Sequence, residues 1–383
     1  MHIYMDYAAT TPVDPRVLNV MKPYFLEKYG NPSSLHSFGR EANRALEEAR
    51  ANVAGLINAE ANEIVFTSGG TESNNLAIKG VAFANRDKGK HIITSAIEHD
   101  AVIEPCEWLE KQGFDVTILP VDKYGLVDPM EVEKAIRKDT ILISIMMANN
   151  EIGTIQATEK IGKICSEKNV SFHTDAVQAF GKIPIDVKKM NVDLLTASAH
   201  KLYGPKGVGC LYVRKGVKIE PLLHGGGHEF GLRSTTENVA GIVGFGAATE
   251  FRKKEMKPEA EKLKRLRDKL IKNVLKIEHS HLNGHPKLRL PNNANFWFDF
   301  IEGESLIMHL DAKGIAASTG SACSSKSLGP SHVLLAIGLR HEQAHGSLRL
   351  TLGKYNSDKD VNYVLKVLPE IVEKLRKISP FKK

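Results

Sequence analysis

Lys201 stands in the stretch Thr196 to Gly209, TASAHKLYGPKGVG, where the apolar pair Leu194-Leu195 gives way to small residues and then to a Gly204-Pro205 turn. A strand that delivers a lysine into so tight a turn presents the amine at a fixed point. Such an amine can form a Schiff base once burial or nearby cations bring its pKa down from about 10.4. Other apolar runs also stop at polar groups. After Phe66 comes TSGGTESNN, whose glycines let backbone approach a ligand while Thr71 opens a helix, an arrangement that suits a phosphate. After Ile97 come Glu98, His99 and Asp100; after Met147, Ala148-Asn149-Asn150; after Phe172, His173-Thr174-Asp175 and then Gln178. An acid at the end of a buried strand requires a positive partner, because an isolated buried carboxylate is costly.

Pyridoxal 5'-phosphate draws on all of these groups together: a lysine for its aldehyde, a carboxylate facing its ring nitrogen, a flat residue over the ring and a helix N-terminus for its phosphate. Each loop is ordinary alone, and their joint occurrence in strand order points to this cofactor.

The elements that must position these residues follow a β-then-α alternation. Strands are expected at 63–67, 91–96, 115–121, 140–147, 170–174, 194–198 and 208–213, with helices at 71–84, 101–112, 129–137 and 159–168 between them. Near-continuous apolar strands in such an alternation predict an α/β fold, a mostly parallel seven-stranded sheet flanked by helices, with ligands beyond the carboxyl ends of the strands. A basic helix over Arg252–Lys276, a strand at 295–300 and a final helix at 357–378, capped by Ser357 and Asp360, predict a smaller α+β domain. The expected division is 16–250 for the large domain, with 1–15 and 251–383 forming the small one.

With 383 residues and 42% hydrophobic content, the chain can bury the cores of two domains. Its net charge of +7 does not point to a nucleic acid, since basic residues are interleaved with acids. No apolar run reaches membrane-spanning length and the N-terminus carries no secretory pattern, so a cytoplasmic protein is expected. Of the four cysteines, Cys106, Cys165 and Cys210 lie in apolar segments and read as core thiols, and no metal-ligand spacing is present.

The sequence resembles pyridoxal-phosphate enzymes of the aspartate-aminotransferase fold, and among them the NifS/IscS-type cysteine desulfurases. The likeness spans nearly the whole chain: DYAATTPVDPRV, the GNPSS loop, EIVFTSGGTESNNLAIKG, NNEIGTIQ, HTDAVQ, SAHKLYGPKGVG, HGGGHEFGLRSTT and STGSACSS. It implies that Lys201 holds the cofactor covalently, His99 stacks on the ring and assists proton transfer, Asp175 pairs with the ring nitrogen and Gln178 contacts the ring oxygen. Gly70, Thr71, Ser198 and His200 are implied phosphate ligands, joined by Thr236 from the partner subunit of a homodimer. Asn150 is placed at the cofactor or substrate, and Arg349 at the substrate carboxylate.

Cys323, flanked by Ser318-Thr319-Gly320-Ser321-Ala322 and Ser324-Ser325, is implied as the nucleophile that takes sulfur from L-cysteine as a persulfide and leaves L-alanine. An iron–sulfur scaffold protein or another acceptor, such as one in tRNA thiolation, is implied as partner, with no resident metal and Cys323 at most a transient iron–sulfur ligand. The competing expectations are a selenocysteine lyase or aminotransferase on the same fold, and a non-catalytic protein that kept the fold.

Overall fold

The apolar runs become strands of a single large sheet. A computed structural model describes residues 2–320 and 329–379; Cys323 lies outside the described residues. Among those described, the strands are β1 (Ile3–Tyr4), β2 (Ile64–Thr67), β3 (His91–Ser95), β4 (Asp115–Leu119), β5 (Thr140–Ser144) and β6 (Ser171–Asp175). They continue with β7 (Leu194–Ser198), β8 (Gly209–Val213), β9 (Ser280–Asn283), β10 (Asn293–Phe298), β11 (Ile315–Ala316) and β12 (Ser347–Thr351). The seven-stranded sheet has the order β2-β8-β7-β6-β5-β3-β4. β4, β3, β5, β6 and β7 pair in parallel, whereas β8 runs antiparallel to both β7 and β2. Every residue of β3, β5, β7 and β8 is buried, which is why their sequences read as near-continuous apolar runs rather than alternations.

Helices cover both faces. Leu76, Val81, Val102 and Leu109, from helices Gly70–Asn85 and Asp100–Glu110, pack on one side. Leu46, Val53, Ile161 and Phe245 pack on the other, from helices Ser37–Leu56, Thr158–Lys168 and Val239–Val274. Burying each such side chain removes its apolar surface from water at a gain of about 1.5–3 kcal/mol.

Helix Val239–Val274 runs unbroken for 36 residues, past Pro258. Its first half belongs to the large core, and its second half, through Leu263, Leu266, Leu270 and Val274, to a separate cluster with Phe296, Phe298, Leu348 and Leu368. That cluster lies against the antiparallel sheet β12-β10-β9, the parallel pair β1-β11 and helix Asp358–Ile378. Ser357 and Asp360 form the expected reciprocal cap at the start of this last helix.

Candidate active site

A cavity of about 210 Å³ opens beyond the carboxyl ends of the parallel strands. Gly70, Thr71 and Asn74 line it from the start of the helix after β2, and His99 from the turn after β3. Met146, Ala148 and Asn150 follow β5, Asp175, Val177 and Gln178 close β6, and Ser198, His200 and Lys201 close β7. Ala8 and Ala9 of the N-terminal segment and Arg349 of β12 complete the wall. Ten of the residues singled out in the sequence thus meet in one place, drawn from six separate stretches of chain.

Lys201 ends a single 3-10 turn, Ala199–Lys201, directly after β7. Its Nζ donates to Ala8 O (2.6 Å) and Ala9 O (2.7 Å). Glycine is needed behind it: a Cβ on Gly209 would meet both Ala197 O and Gly69 Cα at 2.7 Å, so β8 could not approach the β2 turn so closely with any side chain there.

Asp175 is buried and accepts from Val177 N–H (2.9 Å) through Oδ1 and from Asn74 Nδ2 (2.7 Å) through Oδ2. No ion pair reaches it among the described residues. Asn74 Oδ1 and Asn150 Oδ1 are buried without a hydrogen-bond partner. His99 caps helix Asp100–Glu110, its Nδ1 accepting from Ala101 N–H (3.0 Å), which assigns the proton of the neutral ring to Nε2. Beside it, the fully buried Glu98 accepts from Ser95 Oγ (2.6 Å) and Met146 N–H (2.9 Å) on one oxygen, and burial pushes its pKa up to about 8.

Helix Gly70–Asn85 begins at the cavity without a side-chain cap, its N-cap being Gly69 at φ 155° and ψ −176°, a conformation open essentially to glycine. Its first-turn amides therefore have no side-chain acceptor at the cap position. His200 contacts Thr10 Oγ1 through Nδ1 (3.1 Å), and burial together with Lys201, Lys206 and Lys182 lowers its pKa to about 4, so it is neutral at pH 7. Arg349 is 1% exposed; it donates to Asp6 Oδ1 (2.9 Å) and Asn150 O (3.1 Å), and its Nε has no partner.

The chain matches the family described as Aminotransferase class-V over residues 3–364. The chain belongs to that family. Among curated proteins, this class-V member is 61% identical to "Cysteine desulfurase IscS" of Methanosarcina thermophila, an alignment covering 99% of this chain and 94% of the relative. A solved structure titled "NIFS-LIKE PROTEIN" superposes with a TM-score of 0.92 at 44% identity, covering 98% of this chain and all of the other. Another, titled "SspA in complex with cysteine", gives a TM-score of 0.83 at 41% identity over 93% of this chain and all of that one.

Of the predicted site residues, one that the structure describes lies apart from the cavity. Thr236 is exposed just before helix Val239–Val274 and does not line the cavity. Cys323 falls outside the described residues; Ser318 makes an isolated backbone bridge with Arg349 of the site. The other three cysteines are buried free thiols, and burial pushes Cys106 and Cys165 up to about 12 and Cys210 higher still. Asn74, Asp6 and the carbonyls of Ala8 and Ala9 were not singled out in the sequence, yet each touches a predicted residue. For Asn74 a signal existed: it lies one helical turn beyond Thr71, on the same face.

Proposed function

We propose that this class-V family member is a pyridoxal-phosphate-dependent cysteine desulfurase, with Lys201, His99 and Cys323 as its catalytic residues. The carrying observation is the convergence of Lys201, His99, Asp175 and Arg349 on one cavity. The residues fit the cofactor. A buried carboxylate with no cation beside it suits a protonated ring nitrogen, and the orphaned Asn74 and Asn150 oxygens suit a polar guest. The uncapped helix at Gly70, with Thr71, Ser198 and His200 around it, suits a phosphate.

When bound through Lys201, pyridoxal phosphate supplies an electron sink that acidifies the substrate Cα–H and weakens its Cβ–S bond. This chain's residues supply the rest. Asp175 would serve as the carboxylate for the ring nitrogen, His99, with its proton on Nε2, would cover the ring, and Gln178 would contact the ring oxygen. Arg349 grips the substrate carboxylate with a planar fork, beside Asn150. The Cys323 thiolate attacks the substrate sulfur; the S–S bond forms as Cβ–S breaks, Cβ gains a proton and L-alanine leaves. The persulfide then passes to an acceptor such as an iron–sulfur scaffold protein.

The same reading includes a cytoplasmic homodimer in which Thr236 reaches the partner's phosphate site, and a division into large (16–250) and small (1–15, 251–383) domains. Exposed Phe25, Leu26, Tyr29 and Leu35, between 60 and 90% accessible, support a covering subunit. Buried unpaired thiols support a reducing compartment. Among the described residues, no helix is long and apolar enough to cross a membrane.

The test is alanine and sulfide release from L-cysteine with a thiol reductant. Turnover in the wild type and none in Cys323→Ser supports the reading. Unchanged turnover in the variant, or a cofactor-loaded protein silent with cysteine but active with selenocysteine or amino acceptors, overturns it.

A further inference from the structure

Lys182 has no place in the reaction described so far, yet its amine reaches the site through one hydrogen bond. It stands four residues after Gln178, and its Nζ donates to Gln178 Oε1 at 3.0 Å. At the other end of the same amide, Gln178 Nε2 donates to Ala8 O at 2.9 Å, the carbonyl that also accepts from Lys201 Nζ at 2.6 Å. Lys182, Gln178, Ala8 and Lys201 therefore form one connected chain of donors and acceptors. Lys182 and Lys201 also share the wall of a small cavity behind the site, together with Tyr7, Tyr203, Arg252 and Glu259.

We propose that Lys182 is a positioning residue for Gln178 and Lys201: it locks the glutamine amide with its N–H end toward the cofactor cavity and stands as the cation beside the Lys201 amine. This inference rests on the cofactor reading given above.

The chemistry of the amide makes the lock directional. A lysine ammonium has donors only, so the end of Gln178 that meets it must be the oxygen. With Oε1 held by Lys182 and one Nε2 hydrogen held by Ala8, the remaining hydrogen is the group Gln178 offers the cavity it lines. An anionic ring oxygen requires a donor there. The Ala8 carbonyl, whose two lone pairs take Gln178 and Lys201, ties the amide's orientation to the amine's position. An apolar side chain in place of Lys182 would leave Oε1 without its donor and the amide free to turn.

The electrostatics act in the same direction. Burial, chiefly, and then the charges of Lys201 and Arg349 lower the pKa of Lys182 to about 7, with Glu259 opposing them, so Lys182 acts as a cation below about that pH. Coupling between two cations is reciprocal, so a protonated Lys182 makes a positive charge at Lys201 harder to hold. A lysine that must act as an amine needs such a neighbour.

The experiment compares wild type, Lys182→Met and Lys182→Arg, each loaded with pyridoxal phosphate, by following the visible absorption of the bound cofactor as pH is varied. In Lys182→Met the pH midpoint of the spectral change should rise by about one unit, a tenfold shift in the equilibrium. Lys182→Arg, which keeps both charge and donor, should return it toward wild type. Gln178→Met should show a smaller rise, and the Lys182→Met and Gln178→Met effects should not add. Thermal melting identifies any variant that fails to fold, in which case Lys182→Gln replaces Lys182→Met. An unchanged midpoint in a folded, cofactor-loaded Lys182 variant overturns this proposal alone. A wild-type protein that takes up no pyridoxal phosphate overturns the cofactor reading and this inference with it.

Discussion

Asn74 donates its Nδ2 hydrogen to Asp175 Oδ2 across 2.7 Å, while its own Oδ1 has no partner. The pair joins the first helix beyond β2 to the end of β6, residues 101 apart in sequence. It holds Asp175 with one oxygen turned to the amide and the other to the Val177 N–H, so the carboxylate cannot swing away from the cavity.

Replacing Asn74 with Ala should therefore weaken cofactor binding without dissolving the fold. A hydrogen bond to a charged group contributes about 1.5–3 kcal/mol, so the Asn74→Ala protein should bind pyridoxal phosphate about 10- to 100-fold more weakly. Titration of the apoprotein with the cofactor, read by absorbance, checks this. Equal affinity would remove Asn74 from the site.

Asn74 also marks where the sequence stops being legible. The strands could be read because β3, β5 and β7 are buried on both faces and lie in near-continuous apolar runs. Lys201, Asp175 and His99 could be read because a reactive side chain at the end of such a run is unusual. Asn74 sits in a helix among other polar residues, so its spacing from Thr71 did not single it out, and its role exists only once β6 is brought beside it. The carbonyls of Ala8 and Ala9 were illegible for a simpler reason, since every residue has a carbonyl. The antiparallel direction of β8 left no mark either, because a strand buried on both faces looks alike whichever way it runs. Residues 239–251 of the long helix are nearly all small or apolar and packed, so the helical period became visible only from Arg252 onward.

Glu98 should give the stability of the protein a distinct pH dependence. Its pKa in the folded chain, about 8, lies above the ordinary value of 4.5 because burial penalises the charged form. The folded state then holds a proton that the unfolded state has released. Its contribution to stability is full below pH 4.5 and is lost as pH rises toward about 8. Glu98→Gln removes this dependence. Melting temperatures of the two proteins should diverge between pH 5 and 8, the wild type falling relative to the variant; parallel curves would show that Glu98 ionises freely.

The three buried cysteines should be chemically silent. With Cys106 and Cys165 pushed to about 12, almost no thiolate exists at pH 7, and burial excludes reagents. In the native Cys323→Ser protein, a thiol-modifying dye should label none of the remaining thiols over the time that it labels all three after unfolding. Rapid labelling of the native variant would contradict the burial.

Arg349→Lys should separate substrate binding from cofactor binding. Lysine keeps the charge but loses the planar fork, and the buried guanidinium also holds Asp6 and the Asn150 carbonyl. The KM for L-cysteine should rise about tenfold or more, with the affinity for pyridoxal phosphate changed far less. A parallel loss of cofactor affinity would place Arg349 in the framework of the cavity instead of at its substrate end.

Two glycines of the Lys201 turn should respond differently to the same substitution. Gly207 has φ +79° and nothing within 4 Å of an added Cβ, so Gly207→Ala meets only backbone strain, about 1–2 kcal/mol. Gly209 has no such open space: its Cβ would press on Ala197 O and Gly69 Cα, both backbone atoms, at 2.7 Å. Relief requires β8 to move away from the turn that opens helix Gly70–Asn85. Gly209→Ala should therefore lower both the melting temperature and the affinity for pyridoxal phosphate, overpacking of this kind costing about 1–3 kcal/mol. Gly207→Ala should lower the melting temperature alone. Equal cofactor affinity in the two variants would show that the spacing between β8 and Gly69 does not shape the phosphate end of the cavity.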